Sequence, residues 1–453
     1  MADQKLTQET ANDIDLLHDV IGRALRAGAD AADAILVEGI SLSHARRLGK
    51  VEKLERSEGQ DLGLRVLVGK QQAMVSTSDR SPKMLAELVE RTVAMAKAVP
   101  EDPFCGLADP GQLAQDWPML DMLDPEEPAA ETLIERARAA EETAMAVKGV
   151  TNSEGAEAGW GRSRVALAAS NGFAGGYGGS HHGVSASVIA GTGNGMERDY
   201  DFGNAVYAAD LRDPAEIGRS AGERAVLRLN ARKMPTGKVT VVFDPRVSRS
   251  FLSHLLGGIS GPSIARGTSF LKDKLNQRIF PEAITIVEDP HRQRGQRSKP
   301  FDAEGLPNHR RALIDKGVLT TWLLDLRSAR QLGLQSTGHA ARGTGSPPGP
   351  SATNIWLEPG SMTPAELMAD IKSGFYVTEL MGMGVNGITG DYSRGAAGFW
   401  IEDGAIAFPV SEMTVASNLN DMFARMVAAN DLEFRVGADA HTIRIDDLTV
   451  AGS

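Results

Sequence analysis

The sequence predicts an α+β fold with two lobes, in which antiparallel sheets are flanked by helices. Candidate strands and helices occur in runs along the chain rather than in strict βαβ alternation, which is typical of α+β proteins. The 49 glycines and an aromatic content of only 5% indicate strands joined by tight turns rather than a helical bundle. The 453 residues are too many for one compact core, so two or three domains are expected.

The amino-terminal part predicts a helix–sheet–helix layer. Apolar residues at three- to four-residue spacing predict a first helix, which Gly28 can end. Residues 32–39 predict a buried strand, and residues 40–78 predict a pair of strands joined by a turn. Ser81 is a good N-cap followed by proline at the first helical position, and this second helix is expected to stop before Pro100.

The middle of the chain combines a proline-rich segment with a glycine-rich sheet. Residues 101–128 contain five prolines and many acidic residues, and they predict a linker that packs across the surface. A helix is expected from Ala129 to Lys148, then an antiparallel region from Val150 to Asp210, then a helix from Pro214 to Lys233.

The last part opens with a strand at Lys238–Asp244 and a helix directly after it. Short strands follow, and Thr363 begins a capping box that predicts one more helix start. We therefore predict three domains. They are an amino-terminal helix–sheet–helix domain with the linker (1–125), a glycine-rich antiparallel domain (126–236) and a carboxy-terminal domain (237–453).

The charge balance excludes one large class of partners. Acidic residues outnumber basic residues by 59 to 48, which gives a formal net charge of −11. A surface that binds phosphates normally requires the opposite balance, so no nucleic acid partner is expected. The one basic run, His291–Lys299, lies between two prolines and predicts a solvated loop.

Cysteine usage and hydropathy predict the compartment. Cys105 is the single cysteine, which excludes an internal disulfide and fits a reducing cytoplasm. The first residues are polar and lack a secretory pattern, and no apolar run approaches the ~20 residues that cross a bilayer. A cytoplasmic location without membrane contact is therefore expected.

A search for catalytic motifs finds none that is complete. Zinc hydrolases need two neighbouring imidazoles, a third ligand and a carboxylate, yet none of the nine histidines is followed by glutamate. His181 and His182 are adjacent, so on a strand their side chains would point to opposite faces. Neither a G-x-S-x-G serine motif nor a phosphate-binding glycine loop occurs, and no cofactor is indicated.

His254 lies alone in a run of apolar residues on a predicted helix. The neighbours Phe251, Leu252, Leu255 and Leu256 make that helix apolar nearly all round, so we expect a buried, hydrogen-bonded core histidine rather than a metal ligand. Cys105 has no basic neighbours and lies in the proline-rich segment, which argues against a catalytic thiolate.

The segment Tyr376–Met422, "YVTELMGMGVNGITGDYSRGAAGFWIEDGAIAFPVSEMTVASNLNDM", closely resembles the TldD/PmbA family. The resemblance extends over residues 30–453, including "GISGPSIARGTSFLKDKLNQRIF" after the helix that carries His254. It implies a TldD/PmbA-like fold. It also implies a heterodimer in which a TldD-like subunit and its partner degrade or process unfolded or modified peptides.

The resemblance further implies that the TldD subunit binds zinc through H-E-x-x-x-H on a helix and through a cysteine near its end. Matched to that motif, this chain has Ser253 and Gly258 at the two histidines and His254 at the glutamate. Its last residues contain His441 but no cysteine. No intact catalytic set and no metal are therefore expected in this chain, with His254 and His441 as weak candidates only, and the zinc is expected in the partner.

Other interpretations stay open at this point. One is an independent hydrolase that uses Asp391, Ser393 and Arg394; another is a non-catalytic regulatory protein, since an older name of the family is modulator of DNA gyrase. A homodimer is an alternative to the heterodimer. Peptide substrates could add to an exposed strand edge, and Val150–Asp210 and Gly382–Gly398 are the places expected to offer one.

Overall fold

The computed structural model describes residues 2–452 of the chain, and the side chains of residues 8–452. It confirms the two-lobed α+β architecture. The first lobe is a six-stranded antiparallel sheet in the order β3-β2-β1-β4-β5-β6 with four helices. Its elements are α1 (Ala2–Arg26), β1 (Ala31–Arg47), β2 (Lys50–Val68), β3 (Gln71–Thr77), α2 (Pro82–Ala98), α3 (Ala130–Met145), β4 (Val150–Ala169), β5 (Ala174–Ala190), β6 (Glu197–Ala205) and α4 (Pro214–Leu227).

Two pairs of helices cover one face of this sheet. Because side chains alternate along a strand, the even-numbered residues of β1 share a face. Ala34 and Leu36 pack with α1 and α2, and Leu42, further along the same strand, packs with α3 and α4. The strands are long enough to carry both pairs side by side. The sheet also crosses residue 125, since strands on both sides of that predicted domain limit belong to it.

The opposite face of the sheet is covered by the proline-rich segment and by the second lobe. Trp117 from that segment and Phe301 from the second lobe pack against Phe173 and Tyr177, with Trp117–Phe301 and Phe173–Phe301 ring centroids 4.8 and 5.0 Å apart. Residues 101–128 therefore pack against this face of the sheet as an irregular segment that also contacts the second lobe.

The second lobe is built on two large sheets, with a small two-stranded sheet of β11 and β12 beside them. One has the order β16-β15-β14-β7-β19-β17 and is closed by pairing of β16 with β19; the other has the order β10-β9-β8-β13-β18. Its elements are β7 (Gly237–Phe243), α5 (Pro245–Gly258), α6 (Gly261–Ala265), β8 (Ile286–Asp289), β9 (Arg311–Asp315), β10 (Val318–Leu319), α7 (Leu326–Leu332), β11 (Ala340–Ala341), β12 (Gly349–Pro350), β13 (Asn354–Leu357), α8 (Pro364–Met368), β14 (Ser373–Met381), β15 (Asp391–Glu402), β16 (Ala405–Asn418), α9 (Leu419–Ala424), β17 (Val427–Ala428), β18 (Ala438–Asp439) and β19 (Ile443–Ala451).

The connection from β7 to α5 sets the position of the helix that carries His254. Val241 and Phe243 are fully buried on β7, which lies between β14 and β19. Asp244 then caps α5 by accepting a hydrogen bond from the Arg246 backbone N–H at 2.9 Å, and its other oxygen accepts from the Tyr376 hydroxyl at 3.0 Å. The start of α5 is thus held directly against the central strands.

A buried carboxylate joins the two lobes. Asp33 on β1 accepts hydrogen bonds from Arg65 on β2 and from Arg342 of the second lobe, at 2.9 and 2.5 Å. All three side chains are almost fully buried. Burial alone would raise the pKa of Asp33, but the two guanidinium groups reverse that effect and hold it below its usual range.

Close to Arg65, the acidic side chain of Glu304 is also buried, and it makes no ion pair within 4.0 Å among the described residues. Glu304 accepts a hydrogen bond from the Leu326 backbone N–H at 2.8 Å. Burial raises its pKa well above the usual range, and the neighbouring carboxyl of Asp302 raises it further.

None of the helices in residues 2–452 combines the length and the apolarity that crossing a bilayer requires.

We predict that Glu304→Gln makes the protein less sensitive to alkaline pH. A carboxyl whose pKa is raised on folding holds a proton in the folded state that the unfolded chain loses, so its contribution to stability falls as the pH rises above about 4.5. The variant should therefore unfold at higher urea concentration than the parent at pH 8.5, with a smaller difference at pH 5.5. Exposed Glu87→Gln is the control, and parallel pH profiles of Glu304→Gln and the parent would contradict the prediction.

Candidate functional site

Helix α5 presents a polar stripe to the space between the lobes. Arg249 and Ser250 lie three and four residues after Arg246, and Ser253 lies four and three residues after them, which places all four on one side of the helix. The opposite side buries Val247, Ser248, Phe251, Leu252, Leu255 and Gly258. The expectation of a helix that is apolar nearly all round was therefore wrong, because Arg246, Arg249, Ser250 and Ser253 fall on the remaining side.

The polar stripe forms one wall of a cavity of about 590 Å3, which we call the arginine cleft. Strand β6 and the residue after α4 supply the first-lobe wall, and α5, β14 and β15 supply the second-lobe wall. Six arginines line it, together with only two carboxylates: Arg198, Arg228, Arg246, Arg249, Arg297 and Arg394, and Asp199 and Glu379. The cleft is thus locally basic in a chain whose net charge is −11.

Some of these arginines are held by the acids of the cleft. Arg246 donates to Asp199 at 2.7 Å, which is a contact from one lobe to the other, and Arg228 reaches Glu379 at 2.6 Å. Burial disfavours the charge on Arg246, yet Asp199 and Asp244 outweigh that effect and raise its pKa. These pairs fix the shape of the cleft and use both of its carboxylates.

Three arginines of the cleft have no carboxylate partner among the described residues. Arg249 lies over the Phe202 ring, with its guanidinium carbon 5.8 Å from the ring centroid. Arg297 is exposed and makes no ion pair within 4.0 Å. Arg394 donates to the Leu380 carbonyl oxygen at 3.2 Å, while its buried Nε has no acceptor in this part of the chain.

A second, more apolar cavity of about 340 Å3 adjoins the cleft. Ser253 and Arg394 line both spaces. The rest of its wall includes His254, Phe270, Met383, Val385 and Leu419. The loop from β14 to β15 therefore borders this cavity. The strand edge expected in Gly382–Gly398 is not free in β15, because β15 pairs with both β14 and β16.

His254 is half-buried at the edge of this second cavity. Its ring lies edge-on to Tyr392, with centroids 5.9 Å apart, and its buried Nε2 has no hydrogen-bond partner within residues 8–452. Burial lowers the pKa of His254 to about 4, and the charge of Arg394 adds to the effect. The prediction of a buried, hydrogen-bonded core histidine was wrong, since the ring is only half-buried, its buried Nε2 has no partner among the described residues, and it borders a cavity.

The side chains at the positions matched to the zinc motif do not fit a zinc ion. Ser253 offers an exposed hydroxyl, which is a poor ligand for this metal. Gly258 is buried, and a β-carbon there would lie 2.9 Å from Leu271 Cδ1 and 3.0 Å from Phe270 Cε1. A ligand-bearing side chain at that position would therefore have to displace two packed side chains.

His441 is a core residue with one hydrogen-bonded ring nitrogen, while its buried Nδ1 has no hydrogen-bond partner among the described residues. It is fully buried, and its Nε2 lies 3.1 Å from the Leu357 carbonyl oxygen, so that nitrogen carries the proton and donates. Its Nδ1 lies 3.7 Å from the nearest Asp431 carboxylate oxygen. In the described chain no three residues of the types His, Cys, Asp and Glu are grouped so that they could hold a metal ion.

The other sequence candidates do not converge on a common point. His182 is buried and contacts Asp124 at 3.1 Å, whereas His181 is exposed on the opposite face of β5. Cys105 is buried, and burial raises the pKa of its thiol, which is unsuited to a nucleophile.

The proposed hydrolase set is divided between two faces of β15. Asp391 and Ser393 are exposed on one face, and Asp391 bonds with Thr389 and Asn418. Arg394 lies on the other face, toward the cavities. This geometry does not support catalysis by the three residues together.

The outer edge of β6 is already covered. The carbonyl oxygens of Tyr200, Phe202 and Asn204 accept hydrogen bonds from Arg246, Arg212 and Gln296, at 3.4, 3.1 and 3.1 Å. A peptide could add to this strand only by displacing those donors. The Val150–Asp210 region therefore contributes the wall of the cleft rather than a free strand edge.

The basic run His291–Lys299 is a loop in which Arg294 and Arg297 are exposed, as predicted, but sequence reasoning missed its contribution to the cleft. Arg294 pairs with Asp121 and Asp210, at 2.6 and 3.0 Å, and Arg297 enters the cleft. A signal for the cleft was present in the spacing of Arg246, Arg249 and Ser253, but the partners of that stripe come from distant segments.

Comparisons with known proteins agree with the resemblance seen in the sequence. Models of the PmbA/TldA metallopeptidase family match residues 32–96 (domain 1), 123–229 (central domain) and 236–452 (C-terminal domain). The chain is 37% identical over 443 residues to the metalloprotease PmbA of Escherichia coli O157:H7, covering 96% of each sequence.

Solved structures show the same fold. One neighbour is a Bacteroides thetaiotaomicron protein that carries the name of a DNA gyrase modulator, with a TM-score of 0.90, 27% identity and coverage of 97% of this chain and 98% of that chain. TldE from Thermococcus kodakarensis has a TM-score of 0.86 at 19% identity and covers 96% and 100% of the two chains. At that identity, the second likeness concerns the fold alone.

The two glycines that end α5 give a matched test of the packing. Gly258→Ala should lower the free energy of unfolding by about 1–3 kcal/mol, because its methyl group meets Leu271 and Phe270. Gly257→Ala, one residue earlier, meets nothing within 4 Å and should be neutral or stabilising by up to about 1 kcal/mol. Urea unfolding of both variants measures the difference, and equal effects would contradict the packing.

We also predict that His254 stays neutral down to about pH 5. In histidine ring NMR spectra, the resonance that disappears in His254→Gln should shift only near pH 4, because burial and Arg394 oppose protonation. Arg394→Gln should raise that midpoint only partly, since burial is the larger cause. A midpoint near the ordinary value of 6.5 in the parent protein would refute this assignment.

Proposed function

This chain belongs to the PmbA/TldA metallopeptidase family, and on that premise we propose that it is the zinc-free subunit of a TldD/TldE-type protease. In this proposal a TldD-like subunit supplies the zinc, and the heterodimer degrades or processes unfolded or modified peptides. The present chain contributes part of the surface that receives the peptide.

The main support is the closed packing at Gly258. At this position the resemblance places a zinc-binding histidine in the partner, whereas here Leu271 and Phe270 occupy the space that a side chain would need. The other two matched positions, Ser253 and His254, provide only a hydroxyl and an imidazole whose pKa is lowered to about 4. Such a set lacks the ligands and the carboxylate that activate water at a metal.

The residues that line the arginine cleft and the apolar cavity can bind and orient a peptide, but they cannot cleave it. The arginine cleft and the apolar cavity lie side by side along α5, and both are open to solvent. A bound metal in the partner would supply the polarised carbonyl and the attacking water. This chain would supply fixed donors and an apolar wall, and it would exclude bulky folded proteins.

The proposal predicts that activity needs both subunits. The chain purified alone should contain no stoichiometric zinc by elemental mass spectrometry and should not cleave an unfolded fluorogenic peptide. Addition of a TldD-like subunit should produce cleavage. Ser393→Ala should leave the rate of that mixture unchanged, because Ser393 faces away from both cavities.

Two results would overturn this function. One is stoichiometric zinc together with proteolysis by the lone chain. The other is a loss of cleavage in Ser393→Ala, which would favour an independent hydrolase. Salt-dependent binding of duplex DNA by the lone chain would instead favour the regulatory alternative.

A further inference from the structure

We propose that the arginine cleft binds the terminal carboxylate of a peptide, and that the adjoining cavity holds the apolar side chain of its last residue. The inference rests on the proposed function only in taking a peptide as the ligand. It assigns the subsite to this chain, independently of the partner and of zinc.

The first argument is the excess of cationic groups. Six arginines face the cleft against two carboxylates, and those two are engaged by Arg246 and Arg228. In a chain with 59 acidic and 48 basic residues, so many guanidinium groups around one cavity create a local positive potential that an anion would neutralise.

The second argument is unused donor capacity. Arg249, Arg297 and Arg394 have no carboxylate partner in the described chain, and the Nε of Arg394 is buried without an acceptor. The Ser250 hydroxyl, on the same side of α5, is also buried without a partner. Buried donors left unpaired are costly, so they indicate a ligand with acceptor oxygens. A planar carboxylate matches the fork of a guanidinium group and can accept two hydrogen bonds from it.

The third argument is the apolar cavity next to the cleft. Arg394 and Ser253 line both spaces, so a carboxylate held at Arg394 would leave its own side chain close to the second cavity. Phe270, Val385 and Leu419 provide apolar contacts there. His254 adds no charge because its pKa is lowered to about 4. The two cavities therefore fit the two ends of one apolar residue at a carboxyl terminus.

The test measures binding to the full chain without a partner. An acetylated, dye-labelled pentapeptide that ends in leucine is prepared as the free acid and as the carboxy-terminal amide. By fluorescence anisotropy, the free acid should bind at least tenfold more tightly than the amide. Replacement of the last leucine by glycine should weaken binding of the free acid at least threefold.

Variants then assign the site. Arg249→Gln combined with Arg297→Gln should weaken binding of the free acid at least tenfold while leaving amide binding unchanged. Arg266→Gln is the matched control, because Arg266 is exposed on the same lobe, makes no ion pair and lines neither cavity. Circular dichroism checks the fold, and the comparison of acid with amide on the parent chain does not depend on any variant.

Several outcomes would overturn the inference. They are equal binding of acid and amide, an unchanged affinity in the double variant, tighter binding of inorganic phosphate than of the free acid, or preferential binding of a single-stranded oligonucleotide. Cleavage assays with the partner test the proposed function, whereas the binding measurements test the subsite. If the parent chain does not prefer the free acid but its mixture with the partner cleaves the peptide, the subsite alone is contradicted. If the parent chain binds the free acid as expected but the mixture does not cleave, the proposed function alone is contradicted.

Discussion

The carboxylate of Asp33 lies between two guanidinium groups that come from opposite lobes, and the arrangement of the molecule depends on this contact. Arg65 approaches from the neighbouring strand and Arg342 from a segment about 300 residues away in sequence. Since all three groups are almost fully buried, separation of the lobes would leave Arg342 without its carboxylate partner and Asp33 with Arg65 alone. The Arg246–Asp199 pair repeats the same principle at the rim of the arginine cleft. The walls of that cleft therefore belong to different lobes but hold a fixed spacing.

Helix α5 presents charged and polar side chains on a fold that the chain shares with its family. It is capped by Asp244 and supported by β7 and β14, so its position is defined by buried apolar strands rather than by any ligand. The residues that line its open side are arginines and serines, and the position matched to a metal-binding histidine is a glycine against which Leu271 and Phe270 pack. The scaffold thus presents positive charge and hydrogen-bond donors along the open side of α5.

Much of the fold was predictable because local patterns dictate it. The Ser81 and Thr363 caps, the strand before α5 and the helix from Ala130 were all visible in the sequence. The predicted helix from Pro214 ran too far, since it ends at Leu227 and Asn230 adopts a left-handed backbone conformation. The site was less accessible to sequence reasoning. Its arginines come from five separate segments, and only those on α5 follow a helical spacing. The unpartnered state of His254 and the pairing of Arg342 with Asp33 depend on tertiary packing that no local pattern encodes.

The aromatic cluster on the second face of the first sheet bears on how this protein can be dissected. Phe301 belongs to the second lobe, yet its ring completes the packing of Trp117, Phe173 and Tyr177. A fragment that ends between the central and the C-terminal family domains would carry Trp117, Phe173 and Tyr177 without Phe301, and it would leave these rings exposed to water. Such a fragment is poorly suited to expression on its own, because an exposed aromatic surface beside long antiparallel strands favours self-association.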